Sequence, residues 1–255
     1  MMAGGAGSHP ASGAPGGVSE ARYRGSYLET KPYPLRRDQF AKGRGSTGID
    51  KKYRSVYFWI MKKSERTRQF IVEKTAPIFN VKGYAGTSIA DMTEATGLTK
   101  GSIYGNFANK DEVALAAFEH NWQRVKTTVR AEMDKRSTSK DRLLALVGVY
   151  QDLQSHDFPQ GGCPLLNTAV EADGTHPDLR EKARDAFNGW LKNIVTVVET
   201  GVAAGEFRAS VDAEQTALTL IALIEGGLMI SQLTGNVGHR TAVMPAVEKT
   251  ILDLT

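Results

Sequence analysis

The stretch that decides the fold is "GLTKGSIYGNF", Gly97 to Phe107. It sets three glycines beside a lysine, a tyrosine and a phenylalanine. An interior glycine costs a helix roughly 0.5–1 kcal/mol relative to alanine, so packing alone would not select this composition. Ser88-Ile-Ala-Asp91 upstream matches a capping box and opens a short helix that ends at Gly97. Thr99 caps a second short helix, and Asn109 with Glu112 opens a longer one. Two short helices joined by a tight glycine turn form a helix-turn-helix, whose second helix enters a DNA major groove N-terminus first. In that reading Gly97 makes the turn. Gly101 and Gly105 keep side chains out of the way of bases and phosphates. Lys100 offers a cation and Tyr104 a hydroxyl, while Ile103 and Phe107 point inward.

Outward from this stretch the pattern predicts an all-α chain. No segment from Ser64 onward alternates over a strand's length. Phe70, Ile71, Ile78 and Phe79 lie on a helix stopped by Gly83, and Pro77 inside it removes a hydrogen bond to the Glu73 carbonyl. Beyond Met133 come a helix over 139–157, a kinked "FPQGGCP", and a long helix from Pro177 to about Thr200. Asp212 caps the next, apolar on nearly all sides, and a final helix carries Val243, Val247, Ile251 and Leu254.

The chain has 255 residues, a net charge of +4 and a pI near 9.1. The basic excess is local. Residues 1–60 hold ten Lys/Arg against four Asp/Glu, and the remainder holds 22 against 24. Overall charge therefore gives the folded part no nucleic-acid signal. Residues 1–60 read as a disordered basic extension, with Met61 a candidate start. Residues 61–120 read as the three-helix helix-turn-helix domain and 121–255 as a helical bundle. A single cysteine permits no internal disulfide and fits a reducing, cytoplasmic setting. No apolar run approaches the ~20 residues of a membrane span, so no membrane partner is expected. The five histidines and one cysteine show no metal-ligand spacing, and no cofactor or catalytic constellation is evident.

The run Thr87 to Phe118, "TSIADMTEATGLTKGSIYGNFANKDEVALAAF", resembles the DNA-binding domain of the TetR family of transcriptional regulators. The resemblance extends over roughly residues 64–118. It implies that Thr87 and Ser88 touch the phosphate backbone. It places Thr99, Lys100, Gly101 and Ser102 at the bases and nearby phosphates. Tyr104 and Lys110 match phosphate-contacting positions. Gly105 stands where the family often has a large polar residue, which removes one contact. The implied function is a repressor released from a palindromic operator on double-stranded DNA by a small-molecule effector, acting as a homodimer. The alternative is a small-molecule-binding helical protein or enzyme that has lost DNA binding.

Trp122, Tyr150, Phe158, Cys163, Phe187 and Trp190 are the expected lining of an apolar effector pocket, each equally compatible with ordinary core. Cys163 lies in a kink but has no cationic residue within five positions, which leaves both a redox sensor and an inert buried thiol open. The expected dimer interface is a four-helix contact through Leu220, Ile224, Gly227, Leu228, Val243, Val247 and Ile251, with Gly226 and Gly227 permitting close approach.

Overall fold

A computed structural model describes residues 49–255, with side chains from Lys63 onward. Its elements are all helical: α1 (Ile49–Gly86), α2 (Ile89–Thr96), α3 (Lys100–Tyr104), α4 (Lys110–Met133), α5 (Ser139–Gln151), α6 (Pro164–Ala172), α7 (Pro177–Ala203), α8 (Ala213–Thr234) and α9 (Val237–Leu252). A 3-10 turn, Leu153–Ser155, follows α5.

Each start has a local cause. Ser88, Thr99, Asn109, Thr138 and Asp212 accept from the backbone N–H three residues on, which satisfies a donor the first turn cannot. Pro164 and Pro177 occupy first-turn positions, where a missing N–H costs nothing.

Helix α1 begins at Ile49, earlier than the expected Ser64, so the backbone over 49–60 is helical rather than disordered. No glycine or proline lies between Ile49 and Ala76 to stop it. The expectation for residues 1–48 falls outside the described residues. Pro77 is accommodated within α1, whose one non-helical residue is Gly83. The carbonyl of Ala76, next to this proline, accepts from Asn121 Nδ2 at 2.8 Å. The expected domain boundary at residue 120 lies inside α4, which runs unbroken from Lys110 to Met133. A continuous helix, not a linker, joins the helix-turn-helix to the bundle.

In the bundle α8 packs between α7 and α9, α5 packs on α4, α7 and α9, and α6 on α7 and α4. The buried core is continuous from Ile71, Met92, Ile103 and Phe107 near α3, through Val113 and Trp122, to Ile194, Leu220 and Ile251. After α7 the chain turns back, with the N–H groups of Glu206 and Phe207 both bonding the Gly201 carbonyl, and the Phe207 ring lies against Gly201. Contrary to the sequence expectation, α8 is long and apolar enough to cross a membrane by length and composition. It is packed as a bundle helix on α7 and α9 and carries Glu225 within the apolar run.

Candidate nucleic-acid interface

The turn between α2 and α3 is made by Gly97, whose φ of 66° is left-handed and whose N–H bonds the Thr93 carbonyl. Upstream, the Ser88 N–H donates to Asp91 Oδ2 at 2.7 Å and Ser88 Oγ accepts from the Asp91 N–H at 3.1 Å. Lys82 donates to the other Asp91 oxygen at 2.5 Å. These bonds hold the Asp91 carboxyl well below the usual carboxylate range, the Lys82 hydrogen bond contributing most.

Ile103 is fully buried and Phe107 nearly so, which fixes the orientation of α3. The opposite side faces solvent: Thr99, Lys100, Gly101 and Gly105 are exposed, and Ser102 and Tyr104 half-exposed. A Cβ built on Gly101 would meet only Thr99 Oγ1, at 3.9 Å. Nothing else described within the chain occupies that space, so intrachain packing does not require a glycine there.

The loop after α3 is held by Arg68, which the sequence reading missed. Its guanidinium donates to the Asn106 carbonyl at 2.7 Å and to Glu112 Oε1 at 2.6 Å, and lies 3.9 Å above the Phe107 ring centre. Glu112 Oε2 in turn accepts from the Ala108 N–H at 2.6 Å. A partner 38 or more positions away gives no local sequence signal.

Thr87 is fully buried, and its hydroxyl donates to the Gly83 carbonyl at 2.6 Å. Its side chain thus closes the α1–α2 corner, which corrects the expectation of a phosphate contact. Lys110 sits at the start of α4, with its ammonium 4.3 Å from the Tyr84 ring centre. The Tyr84 hydroxyl donates to Asp111, which with burial pushes the phenol up to about 12. His176, N-cap of α7, packs edge-on to the Tyr84 ring at 4.6 Å and lies 3.7 Å from Asp111. This corner is therefore locked to the bundle.

Four of the six expected pocket residues form one ring cluster. Tyr150 stacks on Trp190 at 5.8 Å and meets Phe158 edge-on at 5.6 Å, and Trp190 meets Trp122 at 6.1 Å. Phe187 is half-buried and shares in none of these ring pairs. Cys163 is fully buried beside Glu225, and burial pushes its thiol well above the ordinary value. A thiol held protonated is a poor nucleophile, which favours the inert reading over the sensor. Glu225 was missed because it sits in a run read simply as apolar. A small cavity of about 20 Å³ lies elsewhere, between α1, α4, α6 and α7, lined by Asn80, Asn121, Thr168 and Glu171 among others. That is room for one water. Among the described residues no group of three His, Cys, Asp or Glu could hold a metal ion.

Six of the seven expected dimer residues are also corrected, Val243 being only half-buried. Leu220, Ile224, Leu228, Val247 and Ile251 are buried within the single chain; Gly227 is buried too, against Val243 and Met244 of α9. They form the α8–α9 and α7–α8 packing and are not available to a second copy. The exposed stripe of α8 is a different one: Leu218, Ala222, Met229 and Leu233, with the half-buried Gly226 among them at helical spacing.

Comparison with known proteins agrees with this architecture. Residues 71–117 match the profile described as "Bacterial regulatory proteins, tetR family", and residues 139–247 that of the "Tetracyclin repressor-like, C-terminal domain". A TetR-family transcriptional regulator from Cytophaga hutchinsonii is 50% identical, covering 75% of this chain and 96% of that one, with a TM-score of 0.73. A TetR transcriptional regulator from Chloroflexus aurantiacus J-10-FL is 37% identical at 75% and 96% coverage, with a TM-score of 0.71. The transcriptional repressor DhaR of Mycobacterium sp. (strain GP1) is 24% identical over 171 residues, 66% of this chain and 84% of that protein. With a helix-turn-helix whose second helix is open to solvent, joined by α4 to a helical bundle, the chain belongs to the TetR family of DNA-binding transcriptional regulators.

Proposed function

We propose that the protein is a cytoplasmic repressor that reads a palindromic operator as a homodimer and is released by a small-molecule effector held in the bundle. The observation that carries this reading is α3. Its inner residue Ile103 is sealed in the core, while Thr99, Lys100 and Gly101 face solvent, and a Cβ on Gly101 would meet only Thr99 Oγ1 among the described residues. Lys100 and Lys110 supply charge to phosphates, Tyr104 a hydroxyl, and Thr99, Gly101 and Ser102 the close approach to bases. Ser88 joins them at the start of α2, where it is exposed to solvent.

One five-residue recognition helix buries too little surface for tight specific binding. A two-fold dimer places two of them in successive major grooves, roughly 34–36 Å apart. The exposed apolar stripe of α8 supplies the contact. Gly226 lies in that stripe, and a Cβ there would meet nothing within 4 Å among the described residues. The name of the Mycobacterium relative is what supports repression rather than activation.

The test is fluorescence anisotropy of the purified protein on the duplex upstream of its own gene, across a salt series. Two protomers per site and poor competition by random DNA are expected. Lys100→Ala and Tyr104→Phe should each weaken binding with unchanged thermal melts, and Lys100→Ala should lower the salt slope by about 1 per protomer. Equal competition by random DNA, or wild-type affinity in both variants, would overturn the reading.

A further inference from the structure

The bundle interior holds a carboxyl, that of Glu225, which no cation of the described residues faces. Glu225 projects from α8 toward Tyr150 of α5 and Cys163 at the start of α6. Both of its carboxylate oxygens are shielded from solvent and meet no nitrogen or oxygen donor, with only the Cys163 thiol among the described groups near enough to bond them, and the Tyr150 hydroxyl has no partner. The groups that bear on Glu225 are the surrounding apolar walls and the Cys163 thiol; no Lys, Arg or His is among them. Tyr150 itself is fully buried.

A buried carboxyl met only by a thiol, beside an unpartnered buried hydroxyl, is costly. Each unsatisfied buried group destabilises a fold by roughly 1–3 kcal/mol, and an unpaired charge by more. A leucine at this position would suit the helix better if packing were its only task. The aromatic neighbours add a second constraint. Tyr150, Phe158 and Trp190 are stacked or edge-on at 5.6–5.8 Å, and Trp122 extends the wall. Aromatic faces attract cations through their quadrupole, and a buried carboxylate is stabilised chiefly by a paired cation. A neutral hydrogen-bond donor would satisfy one oxygen but would not offset the burial that opposes ionisation of the carboxyl.

We infer that Glu225, Tyr150 and the Phe158/Trp190/Trp122 wall form the effector subsite, and that the effector is a lipophilic organic monocation, an amine or quaternary ammonium whose charge meets Glu225 and whose apolar body lies on the rings. This rests on the reading of the chain as an effector-released regulator. The rings pack closely in the present conformation, so the ligand binds by parting them. It thereby favours a conformer in which α6 is displaced at its Cys163 end. The other end of α6 carries Glu171, which is bonded to the backbone beside the helix-turn-helix.

The experiment uses the full chain and intrinsic tryptophan fluorescence, since Trp122 and Trp190 lie in the wall. Operator binding of the unliganded protein is measured first; its absence would remove the regulator reading and not the subsite. Benzyltrimethylammonium is then titrated against the neutral benzyl alcohol and the anion phenylacetate. Saturable quenching by the cation alone is expected, with at least a tenfold loss of affinity in Glu225→Gln and release of the operator complex on addition of the cation. Tyr150→Phe, which removes only the hydroxyl, serves should Glu225→Gln fail to fold, and should weaken cation binding severalfold. Failure of the cation to bind wild type, equal binding in both variants, tighter binding of benzyl alcohol, or binding without operator release would each overturn the inference.

Discussion

Glu171, near the end of α6, accepts hydrogen bonds from the backbone N–H groups of Tyr84 and Ala85, at 2.7 and 2.8 Å. One carboxylate thus ties the bundle to the corner between α1 and α2. The clasp is tight: a Cβ on Gly83 would come within 2.6 Å of the same carboxylate. Asn80 and Asn167 reinforce the junction through the carbonyls of Gln160, Gly162 and Gly161.

Replacing Glu171 with alanine should leave two backbone donors without their partner. Loss of about 1–3 kcal/mol is expected, as for charge-assisted bonds at a partly buried site. Amide exchange should accelerate first at Tyr84 and Ala85. In an operator-binding assay the variant should respond less to effector than wild type, because the corner no longer follows α6. Unchanged exchange at those two amides would show that the bonds carry no load in solution.

Burial pushes the Glu225 carboxyl from 4.5 up to about 7, with the Cys163 thiol pulling weakly the other way. The native state therefore keeps a proton that the unfolded chain loses. Stability should fall as pH rises from about 4.5 to 7 and level off above, by on the order of 3 kcal/mol in total. Tyr150 and Cys163, which face the carboxyl, are both held protonated by burial across that window. Thermal melts at pH 5 and 7.5 should differ less for Glu225→Gln than for wild type, and the variant should be the more stable at the higher pH.

Gly201→Ala would raise helix propensity in α7, yet its methyl would overlap the Phe207 ring and lie 2.9 Å from Ser139 Cβ. Ring and helix are both packed in the core, so the overlap outweighs propensity. Destabilisation of about 1–3 kcal/mol is expected from urea unfolding, against a gain of up to about 1 from propensity alone.

Leu233 is 83% exposed and Met229 50%, both on the free stripe of α8. A glutamate at either position should shift the protein from dimer to monomer in light scattering while preserving its far-ultraviolet spectrum. Ile224, buried on the other face of the same helix, is the control: changed to glutamate, it should unfold the chain instead. A Leu233→Glu/Met229→Glu protein that remains dimeric would place the interface elsewhere.

The helix-turn-helix was legible because its determinants are local. Ser88 with Asp91, Gly97, and Thr99 with Ser102 each act across three residues or within one, so residue type and spacing define the geometry. Thr87 was misjudged despite that. Its hydroxyl had two possible recipients, a phosphate or the Gly83 carbonyl, and the sharp corner at Gly83 decided for the second.

By itself, then, the sequence determined the all-helical class, the capped turn and the outward residues of α3, since these follow from short-range hydrogen bonding and a 3.6-residue period. It could not say which of two apolar faces of α8 turns inward, because both carry the same period. Nor could it bring Glu171 to Tyr84, Arg68 to Asn106, or Glu225 to Tyr150 and Cys163. Those pairings join residues from 38 to 87 positions apart. They exist only once α1 to α9 have packed, when the shape of the shared core fixes which side chains meet and which are left to a second copy or a ligand.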